Sequence, residues 1–364
     1  MAEVTLCGVC KNYGEVEAVI NFNLTCADGK LTCLLGPSGC GKSSTVRMIA
    51  GLEKVTKGEI FIGNKLVNDI PPKYRNIAMV FETYALYPHL SAYDNIAFPL
   101  KIRNYSKSQI DKKIKEVAGR LEMNDFLSSG VKRLGDGQKQ KVGLARALVR
   151  EPEVFLMDEP ISHLDARLRA RLRGDLKKLQ RETGITCIYI THDQIEAMSL
   201  GDKIVIMNHG VFQQEGTPEE VFDNPINEFV AGFIGEPPMN FLDCTVVREN
   251  EELFLASPSF KINVFGRIKD IIMQKNIPSI VRVGIRPTDI KVSVKKPEAH
   301  GIEAKVYTIE PRGDDLILTL KTGENLIKVE TQEEFKLKPD DTIWWNPEKE
   351  KIHIFDSATT LSLI

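Results

Sequence analysis

The segment KLTCLLGPSGCGKSSTVRMIAG, residues 30–51, changes character twice along its length. It starts with an apolar run of the kind found in buried strands, and a glycine-rich loop follows directly. After the loop, Val46, Ile49 and Ala50 fall on one face of a helix that Gly51 ends. A strand, a glycine loop and a helix in this order predict the first unit of a parallel sheet covered by helices.

The loop of this segment fits the pattern G-x-x-x-x-G-K-[ST] of a phosphate-binding loop. Its glycines would let backbone N–H groups curl around phosphates, and the helix N-terminus would add the positive end of its dipole. The Lys42 ammonium would reach the β- and γ-phosphates, and the Ser43 hydroxyl would bind Mg²⁺. We expect nucleotide contacts from the whole loop, namely Gly36, Pro37, Ser38, Gly39, Cys40, Gly41, Lys42, Ser43 and Ser44.

Cys40 lies inside this loop, among backbone donors that should favour its thiolate. The alternative is an unreactive, packed thiol. The chain has seven cysteines, an odd number, and Cys33 and Cys187 lie in apolar runs, which favours reduced thiols in a core. Cys7 and Cys10 form a C-x-x-C pair without a second pair, so zinc or redox chemistry is not expected there.

Two further apolar runs end in residues with catalytic potential. VFLMDEP, residues 154–160, predicts a buried strand followed by Asp158, which would hold Mg²⁺, and Glu159, which would orient or deprotonate the attacking water. His192 follows a second such run, and a neighbouring parallel strand would bring it to the γ-phosphate. Each feature is weak alone, but together with the phosphate-binding loop they indicate a nucleoside triphosphatase.

Composition is that of an ordinary soluble protein of 364 residues, with 27% charged and 42% apolar residues. The net charge of −2 gives no bulk attraction to nucleic acid or lipid. No apolar run approaches the roughly 18 residues of a membrane span, and the first residues lack the pattern of a signal peptide. We therefore expect a soluble chain in the cytosol.

The organisation changes near residue 236. Up to that point strands alternate with helices, residues from about 88 to 150 form a helical insertion, and residues 217–220 (TPEE) start a helix. After the linker GEPPMNFL come short alternating segments separated by Gly, Pro and Asp, which predict a small β-barrel or sandwich. We expect two domains, 1–236 and 237–364. A leucine stripe also predicts a helix that Gly184 ends, and its members are Leu164, Leu168, Leu172, Leu176 and Leu179.

Over residues 3–236 the motifs VFETYALYPHLSAYDNI, LGDGQKQ, VFLMDEP, SHLD and THDQIEA follow the phosphate-binding loop in one order. This series resembles the nucleotide-binding subunits of ABC transporters. The resemblance implies that Tyr13 stacks on adenine and that Asp165 communicates across a dimer, although Tyr13 also fits an ordinary exposed tyrosine. It further implies that YALYPHLSAYDNIAFPL, residues 84–100, grips a coupling helix of a membrane subunit; the alternative is plain subdomain core.

The tail motifs EPPMNFL and VGIRPTDI resemble the C-terminal oligonucleotide-binding-fold (OB) regulatory domain of importers for sugars and glycerol phosphate. Importers for polyamines, sulfate or iron carry related tails, so the solute class is only suggested. The tail has no basic stripe with stacking aromatics, so no nucleic-acid partner is expected. The expected fold is an α/β P-loop NTPase domain with a helical subdomain, followed by an all-β OB-like domain.

Two departures from the family pattern concern the site itself. In the family, the usual signature Leu-Ser-Gly-Gly-Gln crosses a two-fold dimer interface and closes over the γ-phosphate held by the partner. Here Gly135 stands in place of the serine and Asp136 in place of the first glycine, so a hydroxyl is missing and a carboxylate is added. Gly137, Gln138 and the helix N-terminus remain, so we expect a weakened site. Glu82 stands where a glutamine is usual, and because glutamate still ligates Mg²⁺, we expect it to affect coupling more than binding.

The resemblance implies an ATP-binding and hydrolysing subunit that powers an importer for a sugar or a solute like glycerol 3-phosphate, with ATP and Mg²⁺ bound. It implies a homodimer on the cytoplasmic face of the membrane, integral permease subunits, and indirectly an extracytoplasmic solute-binding protein. One alternative is an ATP sensor with weak hydrolysis, favoured by Gly135 and Asp136. Another is a soluble ABC protein of translation or DNA repair, but the sequence shows neither the second cassette nor the long coiled-coil insert of that class.

Overall fold

The computed structural model describes residues 2–250, 252–274, 277–297, 301–333 and 335–364. The chain forms two compact units, Met1–Glu219 and Glu220–Ile364. Within the described residues, no helix combines the length and the apolar character that crossing a membrane requires.

The first unit combines a central mixed sheet, an antiparallel sheet and flanking helices. Its strands are β1 (Val4–Tyr13), β2 (Val16–Cys26), β3 (Leu31–Leu35), β4 (Lys57–Ile62), β5 (Lys65–Leu66), β6 (Ile77–Val80), β7 (Val154–Asp158), β8 (Thr186–Thr191), β9 (Lys203–Asn208) and β10 (Val211–Gly216). Its helices are α1 (Lys42–Ala50), α2 (Ala92–Ile102), α3 (Lys107–Arg120), α4 (Asp136–Leu148), α5 (Ala166–Thr183) and α6 (Gln194–Leu200). Short 3₁₀ turns lie at Pro72–Tyr74, Asn124–Phe126 and Val131–Arg133.

The central sheet has the strand order β10-β9-β3-β8-β7-β6. All neighbouring pairs are parallel except β9 and β10. Every residue of β3, β7 and β8 is buried, which explains their mostly apolar sequences. Because parallel strands all end at one edge, the phosphate-binding loop after β3, Asp158 at the end of β7 and His192 after β8 lie at that edge.

A second, antiparallel sheet with the order β2-β1-β4-β5 covers the central core, and no pattern in the sequence predicted it. In β1 the side chains of Val4 and Leu6 are buried, whereas the intervening Thr5 is half-buried and Cys7 is exposed. This alternation is the pattern of a half-buried strand. Gly14, with a φ of 60°, lies in the short turn that joins β1 to β2.

The helices lie close to their predicted positions. Helices α2, α3 and α4 occupy the predicted insertion between β6 and β7. Helix α5 ends at Gly184, which has a φ of 63° as its C-cap, but it begins at Ala166 rather than at Leu164. The reason is Asp165, whose carboxylate accepts a hydrogen bond of 2.9 Å from the Leu168 amide and so caps the helix.

The second unit is built mainly from two antiparallel sheets, ordered β13-β12-β11-β14-β20 and β15-β19-β16-β17-β18. Its strands are β11 (Asn240–Glu249), β12 (Glu252–Ser257), β13 (Phe260–Val264), β14 (Ile280–Ile285), β15 (Ile290–Ser293), β16 (Ile302–Arg312), β17 (Asp315–Thr322), β18 (Asn325–Thr331), β19 (Thr342–Pro347) and β20 (His353–Asp356). Its helices are α7 (Pro218–Asp223), which starts at the boundary, α8 (Glu228–Phe233) and α9 (Gly266–Gln274), with 3₁₀ turns at Pro287–Asp289 and Lys349–Lys351. Both sheets contribute to one apolar core, in which Trp345 is fully buried.

The compact units divide at residue 219, ahead of the predicted domain boundary at 236. Residues 220–236 belong to the second compact unit, where the Arg286 guanidinium donates to the carbonyl oxygen of Ile234 at 2.6 Å and to that of Phe222. Glu228 of α8 also pairs with Arg282 of β14 at 2.7 Å. The division into domains 1–236 and 237–364 stays a prediction about functional units.

Candidate functional site

Two glycines of the phosphate-binding loop, Gly36 and Gly41, leave no room for a side chain. A β-carbon at Gly36 would lie 2.2 Å from the Met207 carbonyl oxygen, and one at Gly41 would lie 2.3 Å from that of Ala18. Gly41 also caps α1 with a φ of 100°, in the left-handed region. The backbone between β3 and α1 is therefore fixed in a tight turn over the helix N-terminus.

Lys42 is buried, at 5% exposure, and its ammonium lies inside this turn. Its Nζ donates to the carbonyl oxygens of Gly36, at 2.8 Å, and Pro37, at 2.9 Å. No carboxylate in the described part of the chain forms an ion pair with it. A buried cation held by carbonyl dipoles and the Cys40 sulfur, which is 3.7 Å away, favours an incoming anion, which fits a phosphate.

Cys40 departs from the sequence-based expectation. The residue is only 3% exposed, and burial raises the pKa of its thiol above the usual value, although the nearby Lys42 charge lowers it. The expected thiolate is therefore wrong, and the alternative of a packed thiol holds. The other thiols in apolar runs, Cys33 and Cys187, are buried and free, as predicted.

Ser43 and Asp158 form the contact on which a metal site would depend. The Ser43 hydroxyl donates to Asp158 Oδ1 at 3.1 Å. Burial raises the pKa of Asp158, the Ser43 hydrogen bond and Arg47 lower it, and the charges of Glu159 and Glu82 raise it further. A cation beside these oxygens would relieve that repulsion.

The donor set fits Mg²⁺. Among the described residues, no three acidic, histidine or cysteine side chains cluster closely enough to hold a metal by themselves. Mg²⁺ does not need such a cage, because proteins usually bind it through one or two carboxylates together with waters and phosphate oxygens. A hydroxyl and a carboxylate beside a phosphate-binding loop match that requirement.

Glu159 and His192 lie at the ends of adjacent parallel strands. Glu159 Oε2 is 3.0 Å from His192 Nδ1, and the Glu159 amide donates to the Ile190 carbonyl at 3.1 Å. Glu159 has a φ of 47°, a left-handed conformation that is strained for a residue with a side chain. The structure thus brings together the two side chains that the sequence placed at separate strand ends.

Tyr13 closes β1 beside the phosphate-binding loop. Its hydroxyl is 3.3 Å from Ser44 Oγ, and the residue is 43% exposed. The Lys11 ammonium lies 4.6 Å from the ring centroid. An exposed aromatic ring fixed next to the loop has the placement that stacking on a base requires.

The predicted signature residues begin α4. Gly135 is the N-cap, its amide donates to Gln138 Oε1 at 3.1 Å, and the Asp136 carboxylate pairs with Lys139 at 3.0 Å. A β-carbon at Gly137 would lie 2.9 Å from Leu168, which explains the glycine there. Lys139 and the helix N-terminus both compensate the unexpected Asp136 charge.

Glu82 and Asp165 are exposed, unlike the buried residues of the site. Glu82 is exposed in the turn after β6, and the Asp165 carboxylate caps α5. Between these segments, the Tyr84 hydroxyl contacts His163 Nε2, and their rings lie 4.7 Å apart. The motif SHLD therefore touches the turn that carries Glu82, a contact that sequence order alone did not reveal.

A buried network behind His192 was also missed. Glu196 Oε2 accepts hydrogen bonds from the hydroxyls of Thr191, at 2.8 Å, and Tyr189, at 2.9 Å. The Asp193 amide donates to Thr191 Oγ1 at 2.9 Å, so both neighbours of His192 are tied to this network. The only hint in the sequence is a carboxylate in THDQIEA on an otherwise apolar helix face.

Family models match three parts of the chain, and curated relatives match nearly all of it. The family model "ABC transporter" matches residues 19–162, "MalK OB fold domain" matches 235–290, and "TOBE domain" matches 283–355. The trehalose/maltose import ATP-binding protein MalK of Thermococcus litoralis is 46% identical over 99% of both chains. The chain belongs to the family of ABC transporter ATP-binding subunits.

Other members of this family match over most of their length. The sn-glycerol-3-phosphate import ATP-binding protein UgpC of Psychromonas ingrahamii is 41% identical, over 99% of this chain and 95% of that protein. Among solved structures, a dimeric bacterial ABC transporter cassette has a TM-score of 0.54 and 33% identity, covering 59% of this chain and 98% of its own. A post-hydrolysis state of that cassette, bound to ADP and Pi, has a TM-score of 0.53.

Family membership confirms several predictions. The fold class is an ABC-type P-loop NTPase domain followed by an all-β OB-like region. The protein binds and hydrolyses ATP as an import ABC subunit, and import ABC subunits work with membrane permeases. No finding supports the alternatives of an ATP sensor or of a soluble ABC protein in translation or DNA repair.

Proposed function

We propose that this ABC subunit powers the import of a sugar or of a solute like glycerol 3-phosphate. The observation that carries the proposal is the 46% identity, over 99% of both chains, to a trehalose/maltose import protein. The 41% identity to an sn-glycerol-3-phosphate import protein keeps a small phosphorylated polyol in the class.

For nucleotide binding, we assign the triphosphate to the loop from Gly36 to Ser44. Lys42 would hold the β- and γ-phosphates, and Tyr13 would stack on adenine. The support is the buried, carboxylate-free environment of the Lys42 ammonium and the exposure of the Tyr13 ring beside Ser44.

For hydrolysis, we assign Mg²⁺ to Ser43, Asp158 and Glu82, where its charge would offset that of the γ-phosphate. Glu159 would orient the attacking water and accept its proton, and His192 would bind the γ-phosphate. The support is the 3.1 Å contact between Ser43 and Asp158 and the 3.0 Å contact between Glu159 and His192.

We further propose a homodimer in which Gly135, Asp136, Gly137 and Gln138 of one subunit act on the nucleotide of the other, with Asp165 near the shared interface. The dimeric state of the related cassette supports this assembly. The subunit would sit on the cytoplasmic side of the membrane, bound through residues 84–100 to permease subunits, which receive solute from an extracytoplasmic binding protein.

Transport assays test this function directly. The subunit would be purified with the permease that co-purifies with it, reconstituted into vesicles, and assayed for ATP-dependent uptake of labelled maltose, trehalose and glycerol 3-phosphate. We expect uptake of one of these and none of spermidine or sulfate. Uptake of spermidine or sulfate instead would overturn the solute class, and the Glu159→Gln variant provides the inactive control.

A further inference from the structure

A cavity of about 330 Å³ lies within the second unit. It is bordered by α7, α9 and the 3₁₀ turns Pro287–Asp289 and Lys349–Lys351. The volume falls in the range of pockets that hold small molecules. None of the nucleotide-site residues contributes to it.

Arg286 forms the buried wall of this cavity, at 3% exposure. Its guanidinium donates to the carbonyls of Ile234 and Phe222, and its central carbon lies 3.6 Å from the centroid of the Phe222 ring. Among the residues that the structure describes, its Nε finds no hydrogen-bond partner and no carboxylate forms an ion pair with it. Burial lowers its pKa to about 10, although the charges of Asp289 and Asp223 raise it, so the cavity wall carries a cation at neutral pH.

Three further polar side chains line the cavity wall, namely Arg267, Lys351 and His353. Arg267 is exposed, and it forms no ion pair with any described residue, whereas Lys351 is already paired with Asp289 at 2.8 Å. Burial and the Arg286 charge lower the pKa of His353 to about 4, so its imidazole is neutral at pH 7. A neutral imidazole both donates and accepts a hydrogen bond.

The cavity also has negative charge, because the exposed carboxylates of Asp223 and Glu350 line it. Carboxylates repel a ligand that is only an anion, but they accept hydrogen bonds from hydroxyl groups. We propose that this cavity binds a small polyhydroxylated anion, a sugar phosphate or a sugar acid. Arg286 and Arg267 take the anionic group, while Asp223, Glu350 and His353 take hydroxyls.

This proposal does not depend on which solute the transporter imports. Calorimetric titration of the full chain tests it, with a non-hydrolysable ATP analogue present so that the phosphate-binding loop is filled. Glucose 6-phosphate is the probe, glucuronate tests the sugar-acid form, and glucose and inorganic phosphate represent the two halves of the ligand. We expect saturable 1:1 binding of glucose 6-phosphate or glucuronate, at least tenfold tighter than glucose or phosphate.

The variant Arg267→Ala should weaken this binding by roughly fivefold or more, because a charge-assisted contact is lost. Lys321→Ala, which removes an exposed cation elsewhere in the same unit, should leave it unchanged. Arg286→Leu should abolish binding, and intact tryptophan fluorescence would show that the unit still folds. The proposal would be overturned if neither glucose 6-phosphate nor glucuronate bound, or if glucose or phosphate alone bound as tightly as they do. It would also be overturned if the Arg267→Ala and Lys321→Ala variants had equal affinities for the sugar anion. Failure of the ATP analogue to bind would concern the nucleotide site only.

Discussion

The carboxylate of Glu159 lies 3.0 Å from Nδ1 of His192, across the ends of two neighbouring parallel strands. Because a carboxylate accepts, the imidazole is the donor in this contact, and each side chain limits the rotation of the other. Glu159 is 23% exposed at its side chain and His192 is 52% exposed, so both remain accessible to water and nucleotide. We therefore expect the two residues to act as one unit in hydrolysis.

Replacing Glu159 with glutamine keeps the shape of the side chain and removes its proton-accepting capacity. We expect hydrolysis to fall by about 10²-fold or more, with ATP binding retained and ATP-bound dimers accumulating on a sizing column. Steady-state phosphate release and nucleotide binding measure the two effects. In a double-mutant cycle with His192→Gln, the losses should not add, because the two side chains act as one unit on the same reacting phosphate. Normal turnover of Glu159→Gln would exclude Glu159 as the base.

Lys42→Ala should lower the affinity for ATP by about tenfold or more, since it removes a charge-assisted contact worth roughly 1.5–3 kcal/mol. Equilibrium titration with a fluorescent ATP analogue measures the change. The control Lys65→Ala removes an exposed lysine from β5 and should leave the affinity unchanged. Equal affinities for both variants and the parent would rule out Lys42 as a phosphate ligand.

The network behind His192 gives a third prediction. Thr191→Val removes the hydroxyl that links the Asp193 amide to Glu196, so the His192 segment should lose its position. We expect kcat to fall by roughly tenfold, on the scale of a misplaced catalytic group, with little change in KM for ATP. Tyr189→Phe breaks the other hydroxyl contact of Glu196 and should spare kcat. A similar loss of kcat in both variants would indicate a general structural role instead.

The sequence predicts a feature of this molecule best when the feature depends only on residues that are neighbours along the chain. The phosphate-binding loop, Asp158 and Glu159 each depend on a few consecutive residues, and the structure has strands and turns where the sequence placed them. The burial of Cys40 depends on the surrounding fold, and burial outweighs the backbone donors that suggested a thiolate. Sequence patterns do not report that kind of packing.

Contacts between distant segments are also invisible in a single sequence. The contact between Tyr84 and His163 joins residues that lie far apart along the chain. The bond from Arg286 to Ile234 likewise holds residues 220–236 in the second compact unit, so that the units divide at residue 219. The antiparallel sheet was missed for a different reason, since strands β1 and β2 contain polar residues and bulges that blur their alternation.

The second unit should lose stability in mild acid because of His353. Burial and the Arg286 charge lower its pKa to about 4 in the folded state, while the charges of Asp289 and Asp223 raise it. The neutral form is therefore favoured by folding, so this stability is fully present above about pH 6.5 and is lost as the pH falls toward 4. We expect a loss on the order of 2 kcal/mol, allowing for partial exposure.

Both tryptophans of the chain, Trp344 and Trp345, lie in β19, so their fluorescence during urea unfolding reports on the second unit alone. Unfolding curves at pH 7.5 and pH 4.5 measure the loss. The variant His353→Gln cannot be protonated and should show a flatter dependence on pH. An equally steep dependence in this variant would assign the acid sensitivity to other groups.

The last prediction concerns the signature residues LGDGQ at the start of α4. Relative to the family pattern, Gly135 lacks a hydroxyl whose hydrogen bond to an ionised phosphate would contribute roughly 1.5–3 kcal/mol. A serine fits at this position, because Gly135 has a φ of −70° and a β-carbon there would meet nothing closer than Gln138 Oε1 at 4.0 Å. The Asp136 carboxylate adds repulsion toward a phosphate, although its pair with Lys139 reduces that repulsion.

We therefore expect Gly135→Ser combined with Asp136→Gly to raise the ATPase rate of the isolated homodimer several-fold, up to about 10²-fold if both effects act fully in the closed dimer. ATP affinity of the monomer should stay nearly unchanged, because among the described residues no hydrogen bond or ion pair joins this segment to its own phosphate-binding loop. The single variants apportion the effect, and Lys139→Ala, which exposes the Asp136 charge without adding a hydroxyl, should slow turnover. If the double variant hydrolyses ATP no faster than its parent, Gly135 and Asp136 do not weaken the site.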